Sequence, residues 1–290
     1  SDVSAFDSAV RGHARLLMSN LARALFHGLS GSHWAQAPVE GQEAIHYREL
    51  TRMSAVLAVS SEAALLTLGG ELKRRESLSA RLGDALSCLY IASAALKRFA
   101  DQGRQPADRP LVAWVVRDAL YRAQQAVFEV YDNFPIPWLG RVLRWTLFPY
   151  GAVHRPPEDT LVAHAADVIL RSGEARERLT DGLYLPDESS EPLAQLEVAL
   201  RAATSAQPVL AQLRNAMRSG QLAGGDPEQC LMEGISAGVI NETEAALVSA
   251  AVTARRRVID VDEFPAGYWA EEPDSCQHKP VPSPRAARST

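Results

Sequence analysis

The chain has 290 residues, of which 47% are hydrophobic and 22% charged, with 17 prolines and 18 glycines. That balance excludes a disordered or fibrous chain, and the length is enough for one large core or two modest ones. A formal net charge of -5 argues against a nucleic-acid backbone as a general partner, because that would need concentrated positive charge.

Cys88, Cys230 and Cys276 lie far apart, with no C-x-x-C pair and no zinc spacing. They point to a reducing compartment, with Cys88 as a small apolar residue. No continuous apolar run reaches the roughly eighteen residues of a spanning helix, and no charged n-region precedes an apolar stretch at the start. The expected location is cytoplasmic, with a peripheral approach to the inner face of the membrane left open. The chain enters a helical pattern at once, without an initiator methionine, so it is expected to be part of something longer.

Val10, Ala14, Leu17, Leu21 and Ala24 make one helical stripe between Ser4 and Leu29. Gly31, Pro38 and Gly41 then break the pattern. From Gln42 to Leu68 a seam of Tyr47, Leu50, Leu57, Ala64 and Leu68 is widened by Met53, Val56, Ala63 and Leu66. A helix apolar on more than one side belongs near a bundle's centre. Gly69-Gly70 and the charged run to Glu76 turn a corner, with Lys73, Arg74 and Arg75 read as a solvated turn.

The most regular stretch follows. Leu78, Leu82, Ala85, Leu89, Ala92, Leu96 and Phe99 recur at alternating steps of four and three, a heptad stripe. Gly83 implies a neighbouring backbone passing close by, and Asp84 needs a partner. Arg81, Arg48, Arg52, Arg117 and Arg122 are available, so an ion pair is preferred for Asp84 over a desolvated base. Asp108 and Pro110 read as an N-cap and a first-turn proline. The heptad then repeats through Ala113, Val116, Leu120, Ala123, Val127, Val130 and Phe134, with Asp118 and Arg122 forming an i,i+4 pair.

Residues 134–150 differ in character. Prolines bracket a short helix in which Trp138 and Trp145 lie seven apart with Arg141 between them, followed by Arg144 and Phe148. Indole with arginine is the mixture that settles at a lipid headgroup boundary. Periodicity does not separate that role from a helix whose tryptophans enter the core. The core reading is preferred, and Trp138, Arg141, Arg144, Trp145 and Phe148 are kept as a candidate membrane or partner contact.

Shorter amphipathic patterns cover Glu158 to Leu170 and Glu191 to Ser219, where Pro208 must kink or divide the helix. A closing pair spans Pro227 to Ala237 and Glu242 to Val258, with Asn241 as the second N-cap. The prolines after Phe264 make residues 265–290 a flexible tail. The expected fold is all-α: an antiparallel bundle over 1–134, a smaller helical appendage over 135–264, and the tail.

Chemistry is hard to find. No two of His13, His27, His33, His46, His154, His164 and His278 have the spacing that lets a helical pair hold one metal. There is no G-x-S-x-G, no P-loop and no dinucleotide fingerprint. No catalytic, cofactor-binding or metal residue is assigned.

Gly69 to Arg104, GGELKRRESLSARLGDALSCLYIASAALKRFADQGR, resembles the C-terminal helical region of bacterial FadE-type acyl-CoA dehydrogenases. So do Pro110 to Ala126, the Asn133-Phe134-Pro135 step, the Arg178 to Pro186 run and the Val258 to Phe264 run, in the same order. The resemblance implies a parent flavoenzyme of fatty acid β-oxidation that converts an acyl-CoA to a trans-2-enoyl-CoA on FAD and passes electrons to an electron-transfer flavoprotein. It also implies that the flavin domain and the glutamate base precede Ser1, so this chain alone would be inactive. Its role would be structural, in oligomerisation, or in approach to a membrane. The alternative from the residues is a stand-alone helical interaction module.

Overall fold

A computed structural model describes residues 3–171, 173–184, 186 and 191–259. All regular structure among them is helical. The described residues up to Gly182 form one compact unit and those from Leu183 onward a second.

In the first unit, α1 (Val3–Leu29), α2 (Ala44–Leu68), α3 (Glu76–Asp101) and α4 (Arg109–Asp132) build the bundle. A 3-10 turn at Gly69–Arg74 joins α2 to α3, and another at Pro106–Asp108 leads into α4. The α3 heptad residues are all buried except Leu82, which is half-buried against the same core. Their α4 counterparts are buried from Val116 to Phe134, so the two seams close on one another as their spacing requires. Met53, Val56 and Ala64 of α2 are fully enclosed. The stretch Ala44–Arg74 is long and apolar enough, by composition alone, to cross a membrane. Its buried face is the bundle core.

Three local expectations change. Gly83 has no atom within 4 Å of where its Cβ would be, so no backbone crosses there. Asp84 is exposed, and Arg81 pairs instead with Glu129 at 3.0 Å. Asp108 makes no side-chain cap on α4. Its carboxylate instead receives a forked pair from Arg178 of α7 (Glu174–Thr180), at 2.9 and 3.1 Å, which ties that short helix to the bundle. The Asp118–Arg122 pair forms at 2.8 Å. At the N-terminal end of α1, Val3, Phe6 and Val10 are exposed, and its stripe meets the core from Leu21, which is partly buried, and Ala24, which is enclosed.

The boundary expected near Phe134 falls inside the first unit. Leu143, Leu147 and Phe148, from α5 (Pro137–Leu147) and its end, are buried in the bundle core, and α6 (Asp159–Leu170) and α7 follow before the division at Gly182.

The second unit contains α8 (Pro192–Arg218), α9 (Leu231–Ser236) and α10 (Glu242–Ile259). Val209, Leu213 and Ala216 of α8 bury against Ala245, Val248 and Ala251 of α10. Pro208 leaves α8 undivided. Asn241 caps α10 as expected: its Oδ1 accepts from the Glu244 N–H at 2.8 Å, and Glu244 Oε2 accepts from the Asn241 N–H at 2.9 Å. The tail 265–290 and the Val258 to Phe264 run beyond Ile259 lie outside the described residues.

Candidate functional site

Two features of the first unit could do more than pack. The first is the outer face of α5. Its inner face closes on α4 because Gly140 has no side chain: a Cβ there would lie 2.3 Å from the Tyr131 carbonyl oxygen and 2.9 Å from Phe134 Cβ. That contact orients the helix. Leu143 and Leu147 then point inward, while Trp138, Val142 and Trp145, at steps of four and three, point outward. The tryptophans are 64% and 76% exposed, so the preferred placement of the indoles in the core is corrected. Arg144 is exposed but engaged within the unit, with Nη1 at 2.6 Å from Asp132 and its guanidinium 4.3 Å from the centre of the Phe128 ring. Arg141 is exposed beside the indoles. Phe148, grouped with them as a contact residue, is buried edge-on against Phe128 with ring centres 4.7 Å apart. The outward set is therefore Trp138, Arg141, Val142 and Trp145.

The second feature is a polar cluster at the base of two adjoining clefts of about 780 and 660 Å³. Both are lined by Ile45, His46 and Glu49 of α2 and Arg117 of α4; the smaller adds Val153 and His154 from the loop before α6. That loop is held by one buried side chain. Gln124 of α4 donates to the His154 carbonyl at 3.0 Å, and its Oε1 accepts from the Val153 and His154 N–H groups, each at 3.0 Å. The buried amide therefore satisfies a connection that would otherwise hold three orphan groups.

Arg52 lies among these elements, 3% exposed, with its guanidinium 5.6 Å from the centre of the Phe148 ring. Among the described residues its Nε and Nη2 have no hydrogen-bond partner, and neither do His154 Nε2, His27 Nδ1, His46 Nδ1 or Arg48 Nε. Burial, followed by the Arg52 charge, pushes the His154 pKa down to about 4, so the ring is neutral. Burial also lowers His27, with Arg23 and Arg52 adding to it, and lowers His46, with Arg117 adding and Glu43 opposing. Glu49 is raised by burial although Arg117 and Arg52 pull it down. Arg52 is thus a concealed cation whose charge is felt by His27, Glu49 and His154.

Sequence reasoning offered Arg48, Arg52 and Arg117 as partners for Asp84, and the structure gathers them elsewhere. It set the histidines aside because none is spaced as a metal pair, yet His46 and His154 meet in one cleft through the fold. No group of three metal-ligating side chains occurs among the described residues. A faint signal existed in Arg52 and Gln124, each a long polar residue within an apolar helical stretch.

Compared with known families, residues 1–264 match the model of the bacterial-type acyl-CoA dehydrogenase C-terminal domain. The chain belongs to this family. No solved structure matches it. Membership implies FAD in the parent enzyme. The lining of the two clefts does not fit that group. The helix starts lining the two clefts carry Glu43 before α2 and Glu158 and Asp159 at α6. A pyrophosphate would need bare N–H groups at such positions. No flavin step is assigned to these residues.

Proposed function

We propose that the chain is the C-terminal part of a FAD-dependent acyl-CoA dehydrogenase of fatty acid β-oxidation, and that its service to the reaction is positional. The acyl-CoA to trans-2-enoyl-CoA conversion and the delivery of electrons to an electron-transfer flavoprotein belong to the N-terminal flavin domain of the parent. This part braces that domain, contributes to a homodimer, or brings it to the inner face of the membrane where long acyl substrates are supplied.

The observation that supports a positional role is the outer face of α5, where two exposed indoles and Val142 stand in one row beside Arg141. Such a row partitions into a headgroup region. The chain expressed by itself is expected to purify colourless and to leave palmitoyl-CoA unchanged; a yellow protein with bound flavin overturns the reading. Sedimentation with liposomes is expected to require anionic lipid and to weaken in the Trp138→Ala, Trp145→Ala double variant. Equal sedimentation of the variant retires the membrane role and leaves α5 as a protein contact.

A further inference from the structure

We infer that an outward face of α1 joins that of α5 in one surface that lies on an anionic bilayer, a step that rests on the membrane role proposed for α5 and extends it to a second helix. α1 adds two arginines and three large apolar side chains to what α5 presents.

The stripe that α1 turns toward the core accounts for only one side of that helix. On another side Arg11, Arg15, Met18, Ala22, Phe26 and Leu29 follow at steps of three and four, so they share a face, and all six are exposed. Met18, Phe26 and Leu29 are 65%, 53% and 62% exposed. Three large apolar side chains in one exposed row mark a contact surface more than a solvated one.

The fold carries this row to α5. Tyr150, which follows the end of α5 and is itself exposed, donates from its hydroxyl to the Leu29 carbonyl at 3.0 Å. Gly28 lies so close to the same end that a Cβ on it would sit 3.2 Å from the Leu147 carbonyl oxygen and 3.5 Å from Pro149 Cδ. The row of Trp138, Val142 and Trp145 and the row of α1 therefore run to one junction, with Tyr150 across it.

Charge sets these elements apart. Although the formal net charge is -5, no Asp or Glu occurs between Asp7 and Glu40 or between Asp132 and Glu158. Most of α1 and the whole of α5 fall inside those two stretches, which carry Arg11, Arg15, Arg23, Arg141, Arg144 and Arg155. Acids on neighbouring helices are already engaged: Asp132 holds Arg144 at 2.6 Å, and Glu62 faces His13 at 3.7 Å. Arg11 bonds the Asp7 backbone carbonyl at 3.2 Å, and Arg15 and Arg141 pair with no acid among the described residues.

That combination selects the partner. A leaflet of anionic lipid is negative at its surface and apolar beneath, so it takes the arginines, indoles and tyrosine at headgroup level and the methionine, phenylalanine and leucine below. Each basic side chain near such a surface adds about fivefold to the affinity.

The test measures sedimentation of the 290-residue chain with phosphatidylcholine vesicles, with and without phosphatidylglycerol. Ala22 sits within the α1 row at an exposed helical position, and glutamate and lysine are both good helix formers there. Ala22→Glu is expected to weaken binding to the phosphatidylglycerol vesicles about fivefold and Ala22→Lys to strengthen it about as much, with the helical circular dichroism spectrum unchanged in both. A purely structural effect would move the two variants the same way. Phe26→Ser combined with Leu29→Ser is expected to lower binding as far as the Trp138→Ala, Trp145→Ala variant does, and if that pair does not fold, the Ala22 variants decide. Ala22 variants that bind like the parent overturn the part assigned to α1, and the α5 reading survives them if the tryptophan variant is weakened. A parent that binds neither vesicle, or both alike, removes the α5 reading and this surface together.

Discussion

Gly140 and Tyr131 approach so closely that a single added methyl group on the glycine would lie 2.3 Å from the tyrosine carbonyl oxygen. Neither atom can yield cheaply, since the oxygen belongs to the α4 backbone and the glycine to the α5 backbone. Gly140→Ala is expected to lower stability by about 2 to 3 kcal/mol and to blue- or red-shift the emission of Trp138 and Trp145 as α5 is pushed outward. Gly83→Ala is the control. It has open space and an exposed helical position, so it should raise stability by roughly 1 kcal/mol. Urea unfolding of the two variants side by side checks the contrast, and shifts of equal sign contradict it.

Gln124 supplies three hydrogen bonds to one turn of the loop that presents His154. Gln124→Leu keeps the volume and removes all three, leaving two N–H groups and a carbonyl to seek other partners. A cost of roughly 3 kcal/mol or more is expected, read as a lower urea midpoint, with faster amide exchange at Val153 and His154. Unchanged exchange there would mean that the loop is held by something else.

The bundle was legible because its seams are long and regular. Leu78 to Phe99 and Ala113 to Phe134 each carry seven positions at heptad spacing, and two such stripes have one way to close. Asn241 was legible for a similar reason, since a cap acts within one turn of its own chain. Asp108 was not: the same carboxylate serves equally as a cap or as an ion-pair partner, and Arg178, 70 residues later, decided between them. Gly83 and Gly140 make the same point in reverse, because a helical glycine announces room without saying whether anything fills it. The Arg52 cluster was invisible in principle. Arg52, Arg117 and His154 come from α2, α4 and a loop that meet only through tertiary packing, and no local spacing encodes their meeting.

The cap at Asn241 offers a prediction for the second unit. Its side chain and that of Glu244 each accept from the other's backbone N–H, at 2.8 and 2.9 Å, so two of the orphan donors at the start of α10 are satisfied. Asn241→Ala is expected to cost about 1 kcal/mol. Because α10 packs on α8, the loss should appear as faster exchange in the first turn of α10 and as a lower midpoint for the second unit. Asn241→Ser, which can accept the same bond, should recover most of it.

Stability should also depend on pH through the neutral histidines. In the folded chain His154 resists protonation down to about pH 4, while in the unfolded chain it titrates near the ordinary value of 6.5. Between those limits the unfolded chain binds a proton that the folded chain refuses, so unfolding is favoured as the pH falls. The contribution is fully retained above about 6.5 and lost progressively toward 4, amounting to about 3 kcal/mol over the whole interval. His27 and His46, both lowered, act with the same sign over narrower ranges. Glu49 acts with the opposite sign, because its raised carboxyl is relieved by protonation, but only between its raised value and 4.5. The urea midpoint is therefore expected to fall between about pH 7 and pH 5, and His154→Gln, which keeps both Gln124 bonds to the backbone, should flatten that fall. A slope identical in parent and variant would show that the ring is already charged, and Arg52 would then have a second cation beside it.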